Sequence, residues 1–252
     1  MEWQDAIINL ENGKIRAAQK DDKGLWQVNT EVKEAILKAF KAGEVALMHE
    51  SGYPGFVDKH NLPARKFTPL DGIRLVPGGS SVRAGSYVAK GVIIMPPAYI
   101  NIGAYVDSGT MVDSHALVGS CAQIGKNVHL SAGVQIGGVL EPIGMNPVII
   151  EDNAFIGAGS VIVEGVLIGE NAVIAPGVIL SKGTPVYDCI NEKVFNASEG
   201  IPQNAVVIPG TRPVNKKLAW ANEMNINLNC AVIIKYRDEK TDAALELEDY
   251  LR

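Results

Sequence analysis

The chain has 252 residues, 47% of them hydrophobic and only 6% aromatic, with 26 glycines and a formal charge of −5 at pH 7. That length allows one or two domains, and the acidic balance excludes nonspecific nucleic-acid binding through a whole-protein field. Apolar stretches such as Gly91–Met95 fall far short of the roughly 20 residues that span a bilayer, and Met1–Leu10 carries acids where a signal peptide carries base, so a cytosolic protein without a membrane partner is expected.

In chain order, Ile15–Gln19 and Leu25–Val28 flank a polar, glycine-containing turn over Lys20–Gly24 and predict a hairpin. Thr30 is placed to cap a helix with Glu31 and Glu34 in its first turn, Val32, Ile36, Leu37 and Phe40 on one face, and a stop at Gly43. From Gly43 to Pro69 the glycines, prolines and aromatics predict an extended linker laid over the body. Residues 1–72 therefore read as a small α+β cap with its linker.

From Val82 the pattern changes. An aliphatic residue falls on every sixth position: Val82, Val88, Ile94, Ile100, Val106, Val112, Val118, Ile124, Leu130 and Ile136. After one interruption the six-residue step resumes with Ile150, Ile156, Ile162, Ile168, Ile174, Leu180 and Val186. Four residues after most of these positions the side chain is small, as at Ser86, Ala98, Ala104, Thr110, Ala116, Ala122, Ala154, Ser160, Ala172 and Thr184. This step matches neither a helix nor a half-buried strand. It is the step of a parallel β-helix, in which short strands form triangular turns that stack on one another. The large aliphatics fill the prism, and the small residue shares its narrow interior. Each buried aliphatic contributes roughly 1.5–3 kcal/mol, and the core grows coil by coil. The turns Asn101–Gly103, Asp107–Gly109 and Gly125–Asn127 carry residues that tolerate positive φ at corners. The spacing assigns residues 73–210 to the β-helix and does not fix its hand.

Two excursions interrupt the coil. Between Ile136 and Ile150 the step is fourteen, so Gly137–Pro147 leaves the coil within an excursion over 137–149 that carries Glu141; insertions in solenoids gather on one face, often the binding face. A second excursion covers 187–200. A degenerate closing coil through Val206–Pro209, a strand over Ala231–Tyr236 and an acidic helix over Thr241–Leu251 complete the chain, with residues 211–252 as a C-terminal extension.

The chain contains no GxSxG, P-loop, HExxH or dinucleotide-binding signature. Cys121, Cys189 and Cys230 form no CxxC pair, so disulfides and structural zinc are not expected, and Cys121 reads as packing ahead of a catalytic thiol. The histidines His49, His60, His115 and His129 include no close HxxxxH pair, and no metal site is expected. Asp113 follows the core residue Val112 and so faces outward at a coil edge. There it is either a solvated corner residue or an acid that holds or deprotonates an amine. Arg74 stands at the entry to the first coil. Lys182, Arg212, Lys216 and Lys217 form the dense basic cluster after the repeats and are candidates to position phosphate groups.

The string Tyr99-Ile100-Asn101-Ile102-Gly103-Ala104-Tyr105-Val106-Asp107-Ser108-Gly109-Thr110-Met111-Val112-Asp113, with Val118-Gly119-Ser120-Cys121-Ala122-Gln123-Ile124-Gly125-Lys126-Asn127, resembles the tetrahydrodipicolinate N-succinyltransferase family. So do Ile136-Gly137-Gly138-Val139-Leu140-Glu141-Pro142 and Ile149-Ile150-Glu151-Asp152-Asn153. The match is dense over Arg74–Gly169 and looser at both ends.

The resemblance implies a left-handed β-helix and a homotrimer with active sites between neighbouring prisms. It implies transfer of succinyl from succinyl-CoA, a cosubstrate, to L-2-amino-6-oxopimelate on the diaminopimelate route to lysine, with no permanently bound cofactor. It also implies that Arg74 and Asp113 bind the acceptor, and a guanidinium grips a carboxylate bidentately. Asp113 would accept from the attacking amine. Backbone N–H groups around Gly157, Ala158 and Gly159 are candidates to stabilise the thioester oxyanion, and Lys182, Lys216 and Lys217 to hold the CoA phosphates.

Two departures qualify this picture. Many members carry Arg-Ser-Glu where this chain has Gly159-Ser160-Val161, which removes an acid considered a partner for the amine and leaves Asp113, helped by Glu141, as the main candidate. A tryptophan common after the Met-Val-Asp segment is His115 here. The alternatives are the acetyl-transferring relative of the same pathway, whose pattern Val161 fits better, and a noncatalytic β-helix scaffold, against which the irregular outward positions count.

Overall fold

Each hexad folds into a two-residue strand, an outward residue followed by the inward aliphatic, and a corner that turns the chain onto the next face. Tyr105–Val106, Met111–Val112 and Leu117–Val118 are three such strands in succession. Tyr105 pairs in parallel with Gln123 and Met111 with His129, so eighteen residues make one turn. The computed structural model describes residues 1–50 and 53–237; the expected helix over Thr241–Leu251 lies outside them.

The coil is a left-handed β-helix with three faces. The first carries Tyr87–Val88, Tyr105–Val106, Gln123–Ile124, Ile149–Ile150 and Leu167–Ile168, and is termed the cap face. The arm face carries Arg74–Leu75, Ile93–Ile94, Met111–Val112, His129–Leu130, Phe155–Ile156 and Val173–Ile174. The open face carries Ser81–Val82, Tyr99–Ile100, Leu117–Val118, Gln135–Ile136, Val161–Ile162 and Ile179–Leu180.

Every six-step aliphatic from Val82 to Val186 is buried, and so are the small residues four positions later. Three of the hydroxyls among them donate to corner carbonyls, Ser86 Oγ to Arg83 O at 2.6 Å, Thr110 Oγ1 to Gly125 O at 2.8 Å and Ser160 Oγ to Ala175 O at 3.0 Å, while Thr184 Oγ1 accepts the Ser181 N–H at 2.9 Å. A small polar residue therefore fits the prism where its own corner or that of the next rung offers an acceptor.

The N-terminal cap consists of α1 (Trp3–Glu11), the antiparallel pair β1 (Ala18–Lys20) and β2 (Trp26–Val28), and α2 (Thr30–Ala42). Asn29, one residue before the expected Thr30, caps α2 by accepting from the Val32 N–H at 3.3 Å. Ile7, Leu10, Val32 and Ile36 pack on Ala84, Ile102 and Cys121, at the edge between the open and cap faces. Beyond α2 the expected extended linker is instead an antiparallel hairpin, β3 (Val45–Glu50) with β4 (Tyr53–Lys59). The apolar residues there serve a ribbon, which Asp58 ties to the prism through Arg83 at 2.6 Å.

The excursion after Ile136 leaves at the edge between the open and cap faces, where Leu140 packs against the cap cluster. The second excursion is a hairpin of Pro185–Asp188 with Lys193–Asn196. The closing strand, Ala205–Pro213, pairs Val206 and Val207 with Val173 and Ile174 and then continues as a ribbon with Asn227–Tyr236. One strand thus joins the coil to a C-terminal arm, and residue 210 falls inside it. Among the described residues no helix is long and apolar enough to cross a membrane.

Candidate active site

The edge between the arm and open faces is built by a repeated corner that starts one residue after each inward aliphatic. Asp113, Ser131 and Gly157 occupy this position on successive rungs. Their N–H groups donate to Leu130 O at 2.9 Å, Ile156 O at 3.0 Å and Ile174 O at 2.7 Å. Strand spacing puts neighbouring rungs about 4.8 Å apart, so the stack makes a straight rail along the prism.

Asp113 is half-buried at the head of a turn closed by the Ala116 N–H donating to Asp113 O at 3.1 Å. Its Oδ1 accepts the Ser114 N–H at 2.6 Å, which fixes the carboxylate. Among the described residues Oδ2 has no hydrogen-bond partner. His115 completes the turn with φ 61 and donates its N–H to Pro97 O at 2.6 Å.

Arg74 is in register with Ile93, which is in register with Met111. It therefore lies two rungs above the Asp113 turn, about 10 Å along the axis. Arg74 is exposed and, among the described residues, its guanidinium meets no acid.

Gly157, Ala158 and Gly159 occupy the same edge two rungs below Asp113. A side chain at Gly157 would collide with the backbone of Ala175 and Pro176, so the tight stack demands glycine there. Of the three backbone N–H groups expected there, the coil engages two. The Gly157 and Gly159 N–H groups are committed to Ile174 O and to Ala132 O, the latter at 2.9 Å, whereas the exposed Ala158 carries the N–H left over by the coil.

At the foot of this edge the closing strand runs outward as the arm, where Asn229 Nδ2 donates to Ile179 O of the open face at 3.4 Å. The arm carries Arg212, followed by the exposed Lys216 and Lys217. Lys182 is elsewhere. It follows Leu180 on the edge between the open and cap faces, where its N–H donates to Glu164 Oε2 at 2.9 Å. Glu141 is exposed on that same remote edge, across the open face from Asp113, so one protomer does not bring the two acids together. The Glu141 loop is anchored by the fully buried Lys33, whose Nζ donates to Met145 O at 2.6 Å. Burial holds the Lys33 amine below its ordinary pKa, with Cys121 opposing.

Cys121 is fully buried under the cap and its thiol is pushed up to about 12 by burial, which excludes a thiolate nucleophile at neutral pH. A residue that sequence reasoning passed over is Gln135, on the open face beside the Asp113 corner. Its Nε2 donates to His115 O at 3.2 Å and to Gly133 O at 3.1 Å. The available signal was a long polar side chain in an outward strand position between Leu117 and Val161.

Two family models match the chain: "Tetrahydrodipicolinate N-succinyltransferase N-terminal" over residues 3–42 and "Hexapeptide repeat of succinyl-transferase" over 147–182. Among curated relatives, the 2,3,4,5-tetrahydropyridine-2,6-dicarboxylate N-succinyltransferase of Ralstonia nicotianae is 46% identical over 98% of this chain and 87% of its own length. The protein of the same name from Paraburkholderia phymatum is 49% identical over the same shares. A crystal structure from Campylobacter jejuni, described as a 2,3,4,5-tetrahydropyridine-2-carboxylate N-succinyltransferase, superimposes with a TM-score of 0.52 at 18% identity, covering 92% of this chain and 63% of that one. At that identity the superposition speaks for the fold alone.

Proposed function

We infer the reaction path from one premise: the chain belongs to the 2,3,4,5-tetrahydropyridine-2,6-dicarboxylate N-succinyltransferase family. It is an acyltransferase that uses succinyl-CoA as cosubstrate for the succinylation step of the diaminopimelate route to lysine.

The observation that carries the mechanism is the alignment along the prism of Arg74 on the arm face two rungs above Asp113, Asp113 and the Ala158 N–H on the edge beside it, and the basic arm at the foot. Arg74 binds a carboxylate of the acceptor with its two-pronged guanidinium. The acceptor's amine then lies against Asp113, whose fixed Oδ1 leaves Oδ2 to take a proton. As that proton leaves nitrogen, the amine forms a C–N bond to the thioester carbonyl, and the Ala158 N–H donates to the oxyanion. Collapse of the tetrahedral adduct breaks the C–S bond, and the proton on Asp113 passes to the departing thiolate. No covalent enzyme intermediate forms. Alignment and a positioned base supply the acceleration, while Lys216 and Lys217 hold the phosphates of the donor at the foot of the rail.

The assembly proposed for this site is a homotrimer. Met111 on the arm face and Leu117 on the open face flank the Asp113 edge, half-exposed and apolar. A neighbouring copy that covers both places the site between prisms and lets its own Glu141 reach the amine, a meeting one protomer does not achieve. Light scattering tests this arrangement, and a stable, active monomer refutes it.

The activity is tested by CoA release from succinyl-CoA and from acetyl-CoA, each with and without the acceptor. Acceptor-dependent release with succinyl-CoA is expected. Equal kcat/KM for both donors overturns the donor assignment, and release that ignores the acceptor overturns N-acyl transfer.

A further inference from the structure

Gln135 sits on the open face one rung below the turn that carries Asp113. Its strand pairs Gln135 with Leu117 above and with Val161 below, so these three side chains form one outward column. Of the three, only Gln135 is polar. Its amide is fixed by two backbone carbonyls, His115 O at 3.2 Å and Gly133 O at 3.1 Å. Both are corner carbonyls of the rail, and His115 belongs to the Asp113 turn itself.

Carbonyl oxygens only accept, so the end of the amide that meets both of them must be the NH₂ group. That requirement settles the orientation of the side chain chemically. Both donors of Gln135 are consumed by the backbone, and Oε1 is left as a pure acceptor without a partner among the described residues. The half-buried side chain is thereby pinned by its amide nitrogen to the backbone of the turn that carries Asp113.

We propose that Gln135 Oε1 is the second acceptor for the attacking amine, orienting one N–H while Asp113 takes the proton from the same nitrogen. An amine that must aim its lone pair at a thioester carbon is under-determined by one hydrogen bond and is determined by two. The column explains why the glutamine is needed in this chain. The outward positions directly above and below it are Leu117 and Val161, which offer no polar atom, so on these three rungs the amide is the polar strand side chain of the open face. Gln135 does not act as a base, because an amide oxygen does not hold a proton at neutral pH; its work is orientation.

This inference rests on the reading of Asp113 as the residue that deprotonates the amine, and the experiment separates the two. Initial rates, with succinyl-CoA and the acceptor each varied against a saturating level of the other, are measured for the wild type, Asp113→Asn, Gln135→Leu, Gln135→Ala and the double variant Gln135→Ala with Val161→Glu. Loss of one oriented neutral hydrogen bond in the transition state corresponds to about a tenfold fall in kcat. Gln135→Leu and Gln135→Ala should each show that fall, with the KM for succinyl-CoA unchanged and the melting temperature close to wild type. Having two variants of different size guards against a packing defect in either. In the double variant the glutamate at 161 returns an acceptor to the same column from one rung lower, and kcat should recover severalfold. A structural role alone would lower the melting temperature and would not be rescued by Val161→Glu. Full kcat in both single variants, with Asp113→Asn still inactive, overturns the role of Gln135 and leaves the base assignment standing. Normal kcat in Asp113→Asn overturns the base assignment itself.

Discussion

Arg16 is the pin between the cap and the prism, and its removal has a calculable cost. Its Nε donates to Gln123 Oε1 at 2.8 Å, and its guanidinium lies 3.7 Å from the Tyr105 ring centroid. Gln123 is fully buried, and its Nε2 is already engaged with Cys121 O at 2.8 Å, so Oε1 has Arg16 as its donor. Arg16→Ala leaves that acceptor orphaned, which costs about 1–3 kcal/mol, and removes a desolvated cation–π contact worth about 1–2 kcal/mol. Part of this is returned, because burial already works against the Arg16 charge. A net loss of about 3 kcal/mol lowers the melting temperature of a chain this size by about 6–12 °C. The assay is thermal unfolding followed by circular dichroism, for Arg16→Ala, Gln123→Leu and the double variant. Because Gln123→Leu deletes the acceptor that Arg16→Ala strands, the double variant should be more stable than the sum of the singles by about 1–3 kcal/mol. Strict additivity, or an Arg16→Ala variant that melts like the wild type, refutes the reasoning.

Ile124→Asp, which buries an unpaired carboxylate at a fully enclosed prism position, should abolish stable folding; wild-type-like melting would contradict the inward assignment. Arg74→Lys keeps the charge but loses the fork, so the KM of the acceptor should rise by a contact worth roughly 1.5–3 kcal/mol while Asp113→Asn lowers kcat by about 10²–10⁴-fold; steady-state kinetics showing the reverse partition would exchange the two roles. Charge reversal at both Lys216 and Lys217 should raise the KM for succinyl-CoA, and an unchanged value displaces the phosphates from the arm. Lys33, held by burial below its ordinary value near 10.5, binds its proton more weakly folded than unfolded. Stability should therefore rise with pH as it climbs from the folded value toward 10.5, and Lys33→Met should flatten that slope in urea titrations. Co-expressed Asp113→Asn and Glu141→Gln subunits should regain activity that neither has alone, because the proposed trimer, when mixed, contains sites with both acids intact; inactive mixtures would overturn the shared site.

The coil was legible because its physics is local and repeated: one inward aliphatic per hexad, with a small neighbour wherever the prism narrows. Reading failed where that rule is silent. α1 carries Ile7 and Leu10 toward a surface formed by Ala84, Ile102 and Cys121, and no local signal says that such a surface exists. The segment after Gly43 reads as a linker because its glycines and prolines break periodicity, yet Val45 and Leu47 alternate on one strand of a hairpin that only pairing with Phe56 and Val57 reveals.

The same limit applies to the site. The outward direction of Asp113 was legible because the residue follows an inward valine, and two adjacent residues are enough to fix it. Whether Glu141 or Lys182 joins it depends on which corner of the triangle each occupies, and that is a count of rungs and insertions. The step of fourteen between Ile136 and Ile150 is six plus eight, so the excursion adds no face and the register resumes on the cap face with Gln123 pairing Ile149. An insertion that preserves phase keeps the edge from Asp113 through Ser131 to Gly157 straight, which the proposed alignment of donor and acceptor requires. The loop itself is held by Lys33 to the far side of the open face. Under the proposed mechanism Glu141 meets Asp113 only as a residue of a second copy, which makes the mixed-subunit experiment the decisive one for the assembly.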